Sequence, residues 1–313
     1  MRRRLIWLAV ALCLCCVAYM TIGVRGPLSF VIPFRGTKLA ALILVGVSIS
    51  TSTVLFQTVS QNRILTPSIM GFDALYVMIL TGAVFFLGGM TVALVSAHLA
   101  FAVTACAMTL AALLLFSTLL QSVHNNLMRM ILTGIVLGAL FRALTDFMQR
   151  LIDPNEFSVI QGASFARFTQ IETDLLLLAS VVCGVAVVLA WRMRFALDVL
   201  TLGREAAVNL GLDLQRVQMQ ALILTAVLVA VSTALVGPVA FLGLLVVSLA
   251  RLATPVERHG VIFISASLIS AITLIGGQTV LERVFHLSTP LSVVIDLLGG
   301  ALFLILLLKG QRR

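Results

Sequence analysis

Charged residues are what this sequence has fewest of. Asp, Glu, Lys and Arg make up 11% of its 313 residues, against roughly a quarter in soluble globular domains. With 61% hydrophobic residues and a mean hydropathy of +1.16, too little polar material remains to skin a water-soluble core. Lipid therefore has to be much of the solvent. Local signatures of catalysis are missing too. There is no GxxxxGK(S/T) phosphate loop, no HExxH, no GxSxG and no glycine-rich dinucleotide fingerprint. The histidines, His98, His124, His259 and His286, are scattered, and the cysteines, Cys13, Cys15, Cys16, Cys106 and Cys183, lie in apolar runs without zinc spacing. These cysteines read as small buried hydrophobes. Neither an enzyme nor a bound cofactor is expected.

What charge there is leans positive, at +9 with a pI near 10.4. The basic residues sit singly or in short groups between apolar runs. That distribution suits anchoring at a membrane face rather than binding of nucleic acid. Met1-Arg2-Arg3-Arg4 followed by an apolar run to Thr21 has the look of a signal peptide, but no A-x-A site follows, and the segment reads as an uncleaved first helix.

A helix needs about twenty apolar residues to cross the hydrocarbon layer. Candidate spans cover 5–24, 38–56, 67–87, 91–119, 127–148, 174–191 and 217–236, then a shorter piece after Gly237-Pro238 to 250, then 261–280 and 290–308. Nothing alternates at period two, so helices are expected and a barrel is not. The expected fold is an all-α polytopic membrane protein of about ten transmembrane helices, one domain over residues 1–313. Three longer connections stand out, at 25–37, 150–173 and 192–216. Fourteen of the 21 Lys and Arg fall on the side holding both termini and the 192–216 loop, six fall on the other, and Arg142 lies within a span. The positive-inside rule then makes the termini and that loop cytoplasmic. Gly134 and Gly138 form a GxxxG pair, which supports tight helix packing and nothing more specific.

The informative part of the 192–216 loop is Thr201-Leu202-Gly203-Arg204-Glu205-Ala206-Ala207-Val208-Asn209-Leu210-Gly211. It predicts a short helix with Thr201 as N-cap and Gly211 at the left-handed stop. Leu202, Ala206 and Leu210 share one face. Such a face docks into a groove on another protein or lies on lipid head groups, and amphipathicity alone leaves both open. Asp73, Arg142, Asp146 and Asp296 lie within or near the membrane, where ionisable residues face a partner or a water-filled path. Arg142 and Asp146, at i and i+4, can form a structural salt bridge or contact a path or gate. Asp73 follows Gly71 near a helix start, where capping is the plain account. Asp296 has none.

Glu205-Ala206-Ala207-x-x-x-Gly211 resembles the EAA---G coupling loop of ABC importer permeases, and nearly the whole chain resembles the iron-siderophore and vitamin B12 permease family. Gln57, Asn62, Pro67 and Gly71 match its early motif, Gly237 with Phe241-Leu242-Gly243-Leu244 its Gly-x-x-x-Phe-(Ile/Leu)-Gly-Leu element, and Pro290 and Gly299 its last helix. Arg63-Ile64-Leu65-Thr66 departs from the early pattern, and Val246-Val247-Ser248-Leu249-Ala250-Arg251 stands where a Val-Pro-His-x-x-Arg segment is usual. The stretches 66–73 and 151–157 look closest to permeases of catecholate-type siderophore systems.

The resemblance implies a type II ABC importer permease in the inner membrane that moves iron-siderophore complexes, with no ATPase of its own. Implied partners are cytoplasmic ATP-binding subunits at Leu202, Gly203, Glu205, Ala206, Ala207 and Gly211, a second permease chain in a homo- or heterodimer, and a periplasmic or lipid-anchored siderophore-binding protein. Arg35 and Lys38 match the family's basic pair for docking that protein, with Arg283 as a third contact, while head-group anchoring by snorkelling is the alternative. Vitamin B12 or haem import and a secondary transporter are the rival readings. A carboxylate-lined path would repel an anionic ferric siderophore, so the four membrane charges are not expected to bind such a substrate directly.

Overall fold

The computed structural model describes residues 2–24, 27–122, 127–168, 171–285 and 290–310, and His124, His286 and the last three residues lie outside them. The described residues are helical with no strand. In order they form α1 (Arg2–Thr21), α2 (Leu28–Val59), a 3-10 turn (Ser68–Met70), α3 (Phe72–Leu87), α4 (Gly89–Leu94), α5 (Ala97–Ser122), α6 (Leu127–Leu151) and α7 (Pro154–Ala163). Then come α8 (Thr173–Arg192), α9 (Arg194–Leu200), α10 (Arg204–Asn209), α11 (Leu214–Val236), α12 (Leu242–Ala253), α13 (His259–Thr279), a π-helical turn (Val280–Val284) and α14 (Leu291–Gly310).

Each of the ten expected spans coincides with a helix. Among the described residues, six helices are long and apolar enough to cross a membrane: α1, α2, α5, α8, α11 and α13. Helices α3 and α12 are apolar but shorter, and α14 is apolar over Leu291–Ile305. Helix α6 has the length, and carries Arg142 and Asp146 on its course.

Three expected boundaries move. The second helix begins at Leu28, directly after Pro27, so most of the 25–37 connection is helical and Pro33 sits inside it. Pro33 is the sixth residue of α2 and lacks the N–H that the Ser29 carbonyl would accept, yet the helix continues through it. The fourth span, expected over 91–119, is interrupted at Val95–Ser96, and α5 starts at Ala97. The 192–216 loop is largely α9 and α10. Within 150–173, α7 is begun by Asp153, whose side chain accepts from the Asn155 N–H, with Pro154 as first helical residue.

Helices α2 and α11 form the centre, two-thirds buried over their apolar windows, whereas α1 is 6% buried and lies at the rim. Helix α2 packs against α13, α11, α12 and α8, and α11 also against α5. The approach is close because α2 carries small hydroxyl side chains there. Ser48, Ser50, Thr51, Ser52 and Thr53 are all buried. The hydroxyls of Ser50 and Ser52 donate back to the carbonyls of Val47 and Ile49, which keeps their polarity inside the helix.

Candidate functional site

Helix α10 stands between two glycines in the left-handed region, Gly203 at φ +96° and Gly211 at φ +80°. A β-carbon at either would meet nothing within 4 Å, so backbone conformation alone selects glycine at both. The expected N-cap, Thr201, is not one. Its hydroxyl donates to the Asp198 carbonyl and closes α9, while Gly203 occupies the cap position of α10. Ala207 is buried against the body, and Ala206 is half-buried. Glu205 is exposed, and Leu202 and Leu210 are 63% and 64% exposed, so the apolar side chains point away from the protein.

Behind this segment lies a relay that sequence reasoning missed. His259, 1% exposed at the start of α13, accepts or donates at both ring nitrogens: Nδ1 lies 2.7 Å from Asp198 Oδ1 and Nε2 lies 2.7 Å from Thr58 Oγ1. The His259 backbone N–H donates to the same Asp198 oxygen at 2.7 Å. Three elements, α9, α13 and the end of α2, are thereby joined. No spacing signal could reveal it, since the partners are 61 and 201 residues from His259. Alanine at His259 is expected to lower stability by about 2 kcal/mol, by leaving Asp198 and Thr58 without their shared partner. An unchanged thermal midpoint of the detergent-solubilised protein would remove the relay from the account.

The same end is tied together elsewhere. Gln57 Nε2 donates to the Arg63 carbonyl at 2.7 Å, and the Ile64 N–H donates to Asn62 Oδ1, so the early motif residues shape the turn after α2. Arg63, the departure from that motif, pairs with Glu257 at 2.9 Å, and Arg251 reaches Glu257 at 3.3 Å. Arg4 donates to the Ala253 carbonyl, placing the start of α1 at this end as well.

The expected docking residues gather at the other end of α2, and they are not equivalent. Arg35 is 4% exposed and turned inward. Its Nη1 donates to the carbonyls of Tyr19, Met20 and Ile22 and its Nη2 to that of Gly23, at 2.9 to 3.0 Å. It caps the C-terminal end of α1, where a cation is favoured. Lys38 is buried, 3.9 Å from Glu282 and over the Phe34 ring at 4.5 Å. Arg283, next to Glu282 at 3.6 Å, is the most open of the three, its side chain 24% exposed.

The four membrane charges come together. Asp73, Arg142, Asp146 and Asp296 line one open cavity of about 380 Å³ between α3, α6 and α14, together with Ser164, Phe165, Pro238 and Ala240. The expected Arg142–Asp146 salt bridge does not form: no contact within 4.0 Å joins them, and both side chains are exposed to the cavity. Asp296 gains an account, because its Oδ1 accepts from the Phe241 N–H at 3.1 Å at the start of α12. Asp73 makes no capping bond to α3, and its Oδ2 is buried without a hydrogen-bond partner.

A bundle of long apolar helices with a cavity lined by ionisable side chains and an exposed short helix at one end has the architecture of a polytopic membrane permease. The chain belongs to the FecCD transport family, whose model matches residues 5–309. It is 45% identical to the petrobactin import system permease protein YclO of Bacillus subtilis (strain 168), over 97% of each chain. It is 32% identical to the petrobactin import system permease protein FatC of Bacillus anthracis, over 90% of this chain and 79% of that one. A solved inward-facing structure of a metal-chelate type ABC transporter shares its fold, with a TM-score of 0.85 at 22% identity over 98% and 99% of the two chains. As a permease of this family, the chain is a transport subunit, and ATP hydrolysis belongs to a separate subunit.

Proposed function

We propose that this chain is the inner-membrane permease of an ATP-driven importer of iron-siderophore complexes. The observation that carries the reading is α10, an exposed helix with unpartnered Leu202 and Leu210 beside Glu205, set between two left-handed glycines. Two cytoplasmic ATP-binding subunits seat on Leu202–Gly211 of a permease homo- or heterodimer, and both termini share their side. The substrate follows from the names of its relatives, two of which are petrobactin import permeases.

Closure of the ATPases pushes on α10. The rigid tie from α9 through His259 to α2 carries that displacement into the bundle, which switches between outward- and inward-open states. The cavity lined by Asp73, Arg142, Asp146 and Asp296 is the path that the switch exposes to either side. A periplasmic or lipid-anchored binding protein delivers the substrate at the opposite end, where Arg283 and the rim of Lys38 meet its carboxylates. Arg35 serves there by holding α1 in place.

The test is Glu205→Arg. Uptake of iron supplied as a ferric catecholate siderophore is expected to fall at least tenfold, and the ATPase to be lost from the detergent-purified complex, because a like-sized cation replaces an exposed carboxylate at the seat. Normal uptake with full ATPase retention overturns the assignment.

A further inference from the structure

We propose that Glu282 is a built-in competitor for the cations that meet the binding protein, so that docking exchanges the chain's own carboxylate for one of the partner's. This rests on the import reading above and assigns a residue that sets how tightly the two proteins hold. Glu282 lies in the π-helical turn that ends α13, Val280–Val284, where the Phe285 N–H donates to the Val280 carbonyl five residues back. Such a turn holds one residue more than an α-helical one and is found frequently at functional sites.

Three cations share this end of α2 with Glu282. Arg35 is already engaged by four backbone carbonyls. That leaves Lys38 and Arg283, whose nitrogens lie 3.9 and 3.6 Å from the Glu282 oxygens. Both separations are longer than a hydrogen bond, so charge is balanced there without a close bond. The tight contact of Glu282 is elsewhere: Gln278 Nε2 donates to its Oε1 at 2.6 Å and holds the carboxylate to α13. Arg283 keeps a donor in reserve, since its buried Nε has no hydrogen-bond partner, and its stem lies against Gly23 just beyond α1. A carboxylate arriving at such a guanidinium can take two N–H groups at once, in the stronger charge-assisted geometry.

The arrangement keeps docking reversible. Without Glu282, two largely enclosed cations, their side chains 11% and 24% exposed, would stand uncompensated, and an acidic partner would be held firmly. With it, each new pair forms only as an old one is given up. Charge then guides the encounter and adds little to residence.

The experiment uses the assembled transporter in nanodiscs and measures its affinity for the siderophore-loaded binding protein of the same system. Glu282→Gln keeps the acceptor that Gln278 bonds and removes only the charge. It is expected to tighten docking about tenfold at low salt, with the gain shrinking as salt is raised. Lys38→Gln should weaken docking, and on that background Glu282→Gln should gain only about threefold, because one of the two contested cations is gone. The second readout is the thermal midpoint, which should fall in Glu282→Gln and recover when the binding protein is added. No tightening, the same gain with and without Lys38, or a midpoint that the binding protein does not restore overturns the competition and leaves the docking site standing. An intact transporter that imports but does not bind the protein overturns the docking site, and this proposal with it. One that docks the protein, responds to Glu282→Gln as expected and moves no ferric siderophore overturns the import reading alone.

Discussion

Leucine in place of Gly138 is expected to destabilise the protein by about 3 kcal/mol, the upper range for overpacking a closed contact. Helix α6 crosses the 3-10 turn and the start of α3 at backbone distance. A β-carbon on Gly138 would lie 2.9 Å from Gly71 Cα, and one on Gly71 would lie 2.6 Å from Gly138 Cα. Neither neighbour is a side chain that can swing away, and Gly71 is held at φ +97° besides. The helix itself must move, carrying Arg142 and Asp146 with it and widening the cavity wall between α3 and α6. Gly184→Ala in α8 is the matched control, because nothing lies within 4 Å of a β-carbon there. It should be neutral or mildly stabilising, as alanine usually is inside a helix. Thermal unfolding in detergent separates the two, and a Gly138→Leu protein as stable as the parent would show that α6 is not held by this contact.

The second large effect is at Arg35, where methionine is expected to remove about 3 kcal/mol and to free α1 from the bundle. The carbonyls of Ile22 and Gly23 are near the surface and can turn to water, so the loss falls on Tyr19 and Met20. Tyr19 is fully buried. Lysine should not rescue, since one ammonium cannot reproduce a planar fork reaching four carbonyls. Helix α1 has little else to hold it, with its apolar window 6% buried. Cys15 and Cys16 pack against the core from α1 and report its attachment. Faster labelling of these thiols by a membrane-permeant reagent in Arg35→Met is the expected readout, and unchanged labelling with an unchanged melting point would defeat it. Uptake should fall as well, but as a consequence of lost packing rather than of lost docking charge.

The short helix shows how a motif can be read for its backbone without its contacts. Gly211 follows the end of α10 in the left-handed conformation, as the sequence implied, yet the cap falls on Gly203 rather than the expected Thr201. Both residue types begin helices, and the choice turned on Thr201 having a nearer acceptor in α9. Arg35 and Lys38 match a family pattern of basic residues, and a pattern of letters says nothing about whether a guanidinium faces water or a helix end. The i, i+4 spacing of Arg142 and Asp146 permitted a pair that the cavity geometry does not form. His259 carried no local signal at all.

What the sequence by itself determined is the class of solvent, the order of the apolar helices and the position of the exposed segment. These follow from run length and partition between water and lipid, which each stretch of chain decides for itself. Tertiary structure alone decided where the few polar side chains go: Arg35 onto α1, His259 between Asp198 and Thr58, and three carboxylates around one cavity. In a lipid-embedded bundle a polar group has no water to fall back on, so its partner is set by which helices touch. Those helices are tens to hundreds of residues apart in the chain.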